Sequence, residues 1–206
     1  MAVTRTRASN PVPPGDAELG SAAQRDRQKR ILDATLALAS KGGYDAVQMR
    51  AVAERADVAL GTLYRYFPSK IHLLVSALAR QFGRMVDRMS RTPIPGDTPY
   101  ERMLFVLRRT TRVMQRDPML TEAMTRAFMF ADPSAAAEVN TVAKQMELLF
   151  TMAMRDDDHV PTADDAAIAG VIGDVWLSDL VKWVTRRASS EDVSAHLELA
   201  ARLLLR

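Results

Sequence analysis

Residues 44–74, YDAVQMRAVAERADVALGTLYRYFPSKIHLL, decide the fold. Over residues 49–56 the apolar Met49, Val52, Ala53 and Ala56 recur at steps of three, one and three, which puts them on one stripe of a short helix. Arg50 and Glu54 face away from that stripe. Asp57, Val58 and Ala59 leave room only for a turn before a second helix over residues 60–67, and two short helices joined so tightly cross at a large angle. The second helix therefore protrudes. Leu60, Gly61, Thr62, Tyr64 and Tyr66 form its outer edge, small at the front and flanked by hydroxyls, which suits a major groove lined by phosphates. Pro68 stops it. The pattern is that of a helix-turn-helix for double-stranded DNA.

On the N-terminal side, residues 1–20 carry Pro11, Pro13, Pro14 and Gly15 with Arg5 and Arg7 and show no periodicity, so they read as a flexible arm. Its arginines either touch a minor groove or belong to a plain tail. Ser21 is placed to cap a helix over residues 22–41, where Ile31, Thr35 and Leu38 repeat beside Leu32, Leu36 and Ala39, and Gly42-Gly43 ends it. Arg25, Arg27, Lys29 and Arg30 crowd its front, the unfavourable end for cations with respect to the helix dipole. A DNA backbone would offset that cost; a solvated charged turn is the alternative.

On the C-terminal side, Ser69 caps a rod over residues 70–90 in which Leu74, Leu78, Phe82, Met85 and Met89 recur at steps of four, four, three and four. Its front abuts the recognition helix, so it reads as the element that transmits a shift between two domains. Pro93, Pro95, Gly96 and Pro99 then force a loop. Helical patterns follow over residues 100–116, 118–130, 134–155, 164–187 and 190–205, with Pro118 and Pro133 at boundary positions. No alternating strand pattern occurs. The expectation is an all-α chain of about nine helices, divided into an arm (1–20), a DNA-binding domain (21–68) and a ligand-binding and dimerisation domain (69–206) that begins with the connecting helix (69–90).

Composition narrows the function. With 48% apolar and 26% charged residues the chain is an ordinary globular one. The absence of cysteine removes disulfides, thiolate nucleophiles and cysteine-type zinc sites, and suits a reducing cytoplasm. No signal-like or membrane-spanning apolar run is present. Residues 1–91 hold 15 Lys and Arg against 8 Asp and Glu, a balance of +7, whereas residues 92–206 hold 13 against 17, a balance of −4. The basic half is the half with the helix-turn-helix, as a nucleic-acid module joined to a differently employed domain would show. An enzyme is the rival class, but His72, His159 and His196 lie in unrelated segments and no phosphate loop or carboxylate constellation surrounds them. The acidic run Asp156-Asp157-Asp158-His159 reads as a solvated turn rather than a metal site. No catalytic residue, metal or cofactor is expected.

The order Ala53, Ala56, Val58, Gly61-Thr62-Leu63-Tyr64, Tyr66-Phe67, Ser69-Lys70 and Leu73-Leu74 resembles the signature of TetR-type one-component repressors. Gly-Gly-Tyr-Asp-Ala-Val-Gln-Met-Arg before it (42–50), and Leu-Thr-Glu-Ala-Met-Thr-Arg-Ala further on (120–127), resemble the subgroup of KstR-type repressors of sterol catabolism in actinobacteria. The resemblance implies a homodimer on a palindromic operator, released by a steroid intermediate carried as a coenzyme A thioester. Regulators of the same family that answer to fatty acyl-CoA or to drugs are the alternative, and a ligand-free nucleoid protein is a further rival. Two positions depart from the family pattern: Gln48 and Ala59 stand where capping Ser or Thr is usual.

Arg50 is placed to read guanine O6 and N7, a contact worth roughly 1–3 kcal/mol of base discrimination. Gln48, Leu60, Gly61, Thr62, Tyr64 and Tyr66 join it on DNA, and Lys70 grips a phosphate at a helix start. The methionine and aromatic content of the second half favours an adaptable pocket, for which Met85, Met89, Met103, Leu107, Met124, Phe128, Met146, Phe150 and Trp176 are the expected lining. Arg108, Arg109 or Arg112 would meet the phosphates. The last two helices offer a four-helix dimer interface on Trp176, Leu180, Trp183, Leu197 and Leu204, an internal core being the alternative use of the same stripes.

Overall fold

The computed structural model describes residues 16–155 and 162–205. Among them the chain forms α1 (Asp16–Ala46), α2 (Met49–Arg55), α3 (Leu60–Tyr66), α4 (Lys70–Met89), α5 (Pro99–Gln115), α6 (Pro118–Met129), a short 3-10 turn (Pro133–Ala135), α7 (Ala136–Met154), α8 (Ala163–Val184) and α9 (Ser190–Leu204). The all-α expectation with nine helices therefore holds for the described residues. Arg5 and Arg7 of the expected arm, and the acidic run 156–159, lie outside them.

Helix boundaries follow local chemistry. Ser69 accepts a hydrogen bond from the backbone N–H of His72 and so starts α4. Thr98 with Glu101, Thr162 with Asp165 and Ser189 with Asp192 form reciprocal capping boxes at α5, α8 and α9. Pro99 and Pro118 occupy first-turn positions, where a missing N–H costs nothing. The first helix departs from expectation: it begins at Asp16, inside the expected arm, so Ser21 lies within it and not at its start. Gly42 and Gly43 break it as expected, Gly43 with φ of 65°, and one further turn completes it at Ala46.

Ile31, Val47, Val52 and Leu63 are fully buried beneath the tight α2–α3 pair and hold it against α1. From there one continuous core runs through α4, which packs on α7 and α6, into the larger half of the chain. Phe82, Met103, Leu107, Met124, Leu149, Phe150 and Ile172 are the large side chains at its centre. Helix α6 also lies along α1, so the small half rests on two elements of the large half and not on α4 alone. No described helix is long and apolar enough to cross a membrane.

Candidate nucleic-acid interface and effector cavity

The recognition surface is built from the tight turn. Arg50 and Gln48 are exposed at the front of α2, and neither Gln48 nor Ala59 caps its helix with a side chain. Gly61 is exposed at the front of α3, and a Cβ built there meets nothing within 4 Å, so its smallness serves no internal packing. Tyr64 is 46% exposed, whereas Leu60, Thr62 and Tyr66 are half-buried. The expected row of side chains thus splits: Gln48, Arg50, Gly61 and Tyr64 are open, while Leu60 and Tyr66 also pack against the core edge.

The basic front of α1 is tied into this surface. Arg30 donates to the carbonyl of Ala56 at 2.9 Å, closing the end of α2, and pairs with Asp26 at 3.4 Å. Arg27 donates to the Tyr66 hydroxyl at 3.4 Å. Lys70 is held as well: its ammonium donates to the carbonyl of Tyr44 at 3.0 Å and lies 4.2 Å from the centre of the Tyr44 ring. Burial there pushes the Lys70 ammonium below its usual pKa, with Asp45 opposing the shift. The sequence places Lys70 at a helix start; it carries no sign of the Tyr44 contact, which spans 26 positions.

In the large half, a small apolar cavity lies between five helices. Leu78 and Phe82 of α4, Met114 of α5, Thr125 and Phe128 of α6, Val142 and Met146 of α7, and Leu180 with Trp176 of α8 surround it, and its free volume is about 20 Å³. Of the expected lining, Phe128, Met146 and Trp176 are here. Met103, Met124 and Phe150 are buried in the surrounding core. Met85 and Met89 instead floor a separate groove of about 270 Å³ between α4 and α5, with Arg88, Arg109, Arg112 and Arg116 on its walls. Leu107 faces a third hollow, between α5 and α9. The expected single pocket is therefore three spaces, because helical periodicity assigns a face but not the neighbour it meets. Arg108 is turned away from the α4–α5 groove and pairs with Glu198 at 3.0 Å.

The dimer expectation needs correction at its anchor. Trp176, Leu180 and Leu197 are buried within the single chain at 2%, 4% and 3% exposure. Trp176 donates to the Thr111 hydroxyl at 3.0 Å and stands edge-on to Phe82 with ring centres 5.8 Å apart, so it is a core residue. Trp183 and Leu204 are half-buried, and the outward apolar residues of α8 and α9 are Val171, Leu199 and Leu203. Asp179, buried between these helices, accepts from His196 at 2.7 Å and from Lys182 at 2.9 Å and fixes α9 on α8. Among the described residues no cluster of ligating side chains could hold a metal ion.

Comparison with known proteins agrees with this geometry. Residues 31–77 match the family model of bacterial regulatory proteins of the tetR family, and residues 96–204 match a tetracyclin repressor-like C-terminal domain. The HTH-type transcriptional repressor KstR of Rhodococcus jostii is 66% identical over 191 residues, covering 93% of this chain and 88% of the relative. A TetR transcriptional regulator from Rhodococcus sp. RHA1 superposes with a TM-score of 0.81 at 32% identity, over 89% of this chain and 97% of that one. The FadR regulator of Bacillus subtilis, solved in complex with stearoyl-CoA, shares the fold with a TM-score of 0.61 at 20% identity, over 86% and 97%. With both halves matched to domains of these regulators and a relative 66% identical along most of its length, the chain belongs to the TetR family of bacterial transcriptional regulators.

Proposed function

We propose that the chain is a repressor that binds a palindromic operator as a homodimer and leaves it when a bulky apolar metabolite, a steroid intermediate carried as a coenzyme A thioester, enters the large half. Residues 21–68 serve as the DNA-binding head and residues 69–206 as the effector and dimer domain. Arg50 reads a base, Gln48, Leu60, Gly61, Thr62, Tyr64 and Tyr66 seat α3 in the groove, and Lys70 meets a phosphate. Two heads related by a two-fold axis enter grooves one turn apart, about 34–36 Å, or a multiple of it. The dimer face is the outward side of α8 and α9, with Val171, Trp183, Leu199, Leu203 and Leu204.

The observation that carries the effector reading is the position of the cavity on α4. Leu78 and Phe82 line it two and three turns behind Lys70, on the same rigid helix. A guest that parts α4 from α6, α7 and α8 shifts the front of α4 and hence the heads. The cavity is small when empty, and Met114, Met146 and Phe128 are the side chains that give way, since methionine repacks at low cost. The α4–α5 groove with its four arginines suits the phosphates of a thioester. The 66% identity to KstR favours a steroid over the fatty acyl chain held by the more distant FadR.

The test is a titration of steroid coenzyme A thioesters against free protein and against protein saturated with operator DNA. By linkage, an effector that prefers the free form by about 3 kcal/mol releases DNA roughly 150-fold, and DNA weakens effector binding by the same factor. Equal affinity in both states would end the induction model.

A further inference from the structure

Beside the cavity between α4 and α8 lies one polar group that nothing in the chain uses. Thr125 is 4% exposed and lines this cavity, and its hydroxyl has no hydrogen-bond partner. Helical threonines usually turn the hydroxyl back onto the preceding turn, and Thr35, Thr141, Thr151 and Thr185 do so at 2.9, 2.8, 2.9 and 2.7 Å. Thr125 does not. Its neighbour one turn earlier, Thr121, donates to the carbonyl of Met114 at 2.6 Å and is likewise satisfied.

A buried hydroxyl without a partner costs roughly 1–3 kcal/mol, so its persistence calls for a use. Water is a poor candidate to satisfy it. The free volume of about 20 Å³ admits one molecule, but a buried water needs two to four polar partners. Around this cavity the other lining side chains are hydrocarbon or thioether, apart from the Trp176 indole, which is already donating to Thr111.

We propose that Thr125 is the specificity residue of the effector site: its hydroxyl takes an oxygen, a ketone or a hydroxyl, carried on the apolar end of the effector that enters the core. A plain alkyl tail would leave the hydroxyl unmatched, whereas an oxygenated apolar skeleton pairs it among apolar side chains, where a missing partner is costly. The inference rests on the effector reading above and adds which chemistry the buried end must carry. It also separates two ligand classes that the cavity's hydrocarbon walls do not distinguish.

The experiment uses two coenzyme A thioesters of one steroid side-chain acid, identical except that one has a ketone on the first ring and the other a methylene there. Binding is measured to wild type, Thr125→Val and Thr125→Ser, with melting temperatures of the three ligand-free proteins. Wild type and Thr125→Ser should bind the ketone about fivefold more tightly than the methylene analogue, as one net neutral hydrogen bond allows. Thr125→Val should bind both alike and melt no lower than wild type, because it removes an unpaired hydroxyl at constant shape. Equal binding of the two thioesters by wild type would overturn the proposal while leaving the effector reading intact. So would a ketone preference that survives in Thr125→Val, or a melting temperature lowered by several degrees in that variant, which would mean that the hydroxyl has a structural partner. If neither thioester binds wild type, the effector reading falls and this inference falls with it.

Discussion

The ammonium of Lys70 and the aromatic ring of Tyr44 stack at 4.2 Å, and the same ammonium donates to the Tyr44 carbonyl. On the other element that reaches the head, Arg126 of α6 lies 4.4 Å from the centre of the same ring, and Glu122 accepts from the Tyr44 N–H at 3.3 Å. Tyr44 thereby joins three segments: the end of α1, the start of α4 and the middle of α6. The Lys70 that α4 would present to a phosphate is, in the free protein, part of the joint.

Replacing Tyr44 with Leu removes both cation–ring contacts. At partly exposed sites each is worth about 0.5–1 kcal/mol, so the variant should lose about 1–2 kcal/mol. For a chain of this size that is a fall of roughly 2–8 °C in melting temperature. Tyr44→Phe, which keeps the ring, should melt like wild type, and a fall equal to that of the Leu variant would deny the ring its role.

On DNA the two basic residues should behave differently in kind. Arg50→Ala should relax preference at one base position of the operator. Lys70→Ala should weaken binding on every sequence and reduce the slope of log affinity against log salt by about one unit. Equal losses on operator and random DNA for both variants would remove Arg50 from base readout.

Burial assigns different work to two apolar residues of the last helices. Leu203, 54% exposed, should matter only between chains, so Leu203→Glu should yield a folded monomer in sedimentation. Trp176, at 2%, should matter within the chain, and Trp176→Ala should cost about 3–5 kcal/mol of stability. A folded dimer of Leu203→Glu at micromolar concentration would rule out the outward face of α9 as the interface.

Val142 lines the cavity, and Val142→Leu adds one methylene to a space of about 20 Å³. Filling it should stabilise the empty state by about 0.8 kcal/mol, and since the guest must displace that methylene, effector affinity should drop roughly fourfold with operator affinity unchanged. Operator and effector affinity falling together would instead indicate a disturbed fold.

The start of α9 supplies a pH prediction. The Ser189 backbone N–H and hydroxyl, bonded to the Asp192 carboxylate, hold its pKa below the ordinary carboxylate value. A lowered folded pKa contributes stability that is present above the unfolded value and lost as pH falls through the folded one. Asp192→Asn should therefore be less stable than wild type near neutrality, and the gap should close in acid. A gap that stays constant down to the acid transition would show that the charge is not engaged.

The helix-turn-helix is legible in the sequence because its signal is local: the step of apolar residues in α2, the three-residue turn and Pro68 all lie within 20 positions of one another. The cap Ser69 and the first-turn Pro118 mark their helices for the same reason. Where α1 starts is not legible, since the Pro- and Gly-bearing segment before it masks helical residues from Asp16 onward. The fate of a stripe is not legible either. Trp176 lies on a row that two neighbours could cover, and only the packed chain shows that Thr111 and Phe82 cover it. The unpaired hydroxyl of Thr125 is invisible in sequence, because a threonine in a helix normally satisfies itself.

The head is fastened to the large half along two helices: α4, where Arg80 pairs with Asp33 of α1 at 2.6 Å, and α6, where Glu122 accepts from the Tyr44 N–H at 3.3 Å and Arg126 pairs with Asp45 at 3.8 Å. A head held along the length of two helices moves with them as a body. A guest that displaced α4 from α6 would therefore re-aim the recognition helix through both supports at once. In the two-fold pair proposed above, the separation of the two recognition helices would follow from that displacement, as the gap of a caliper follows from its hinge.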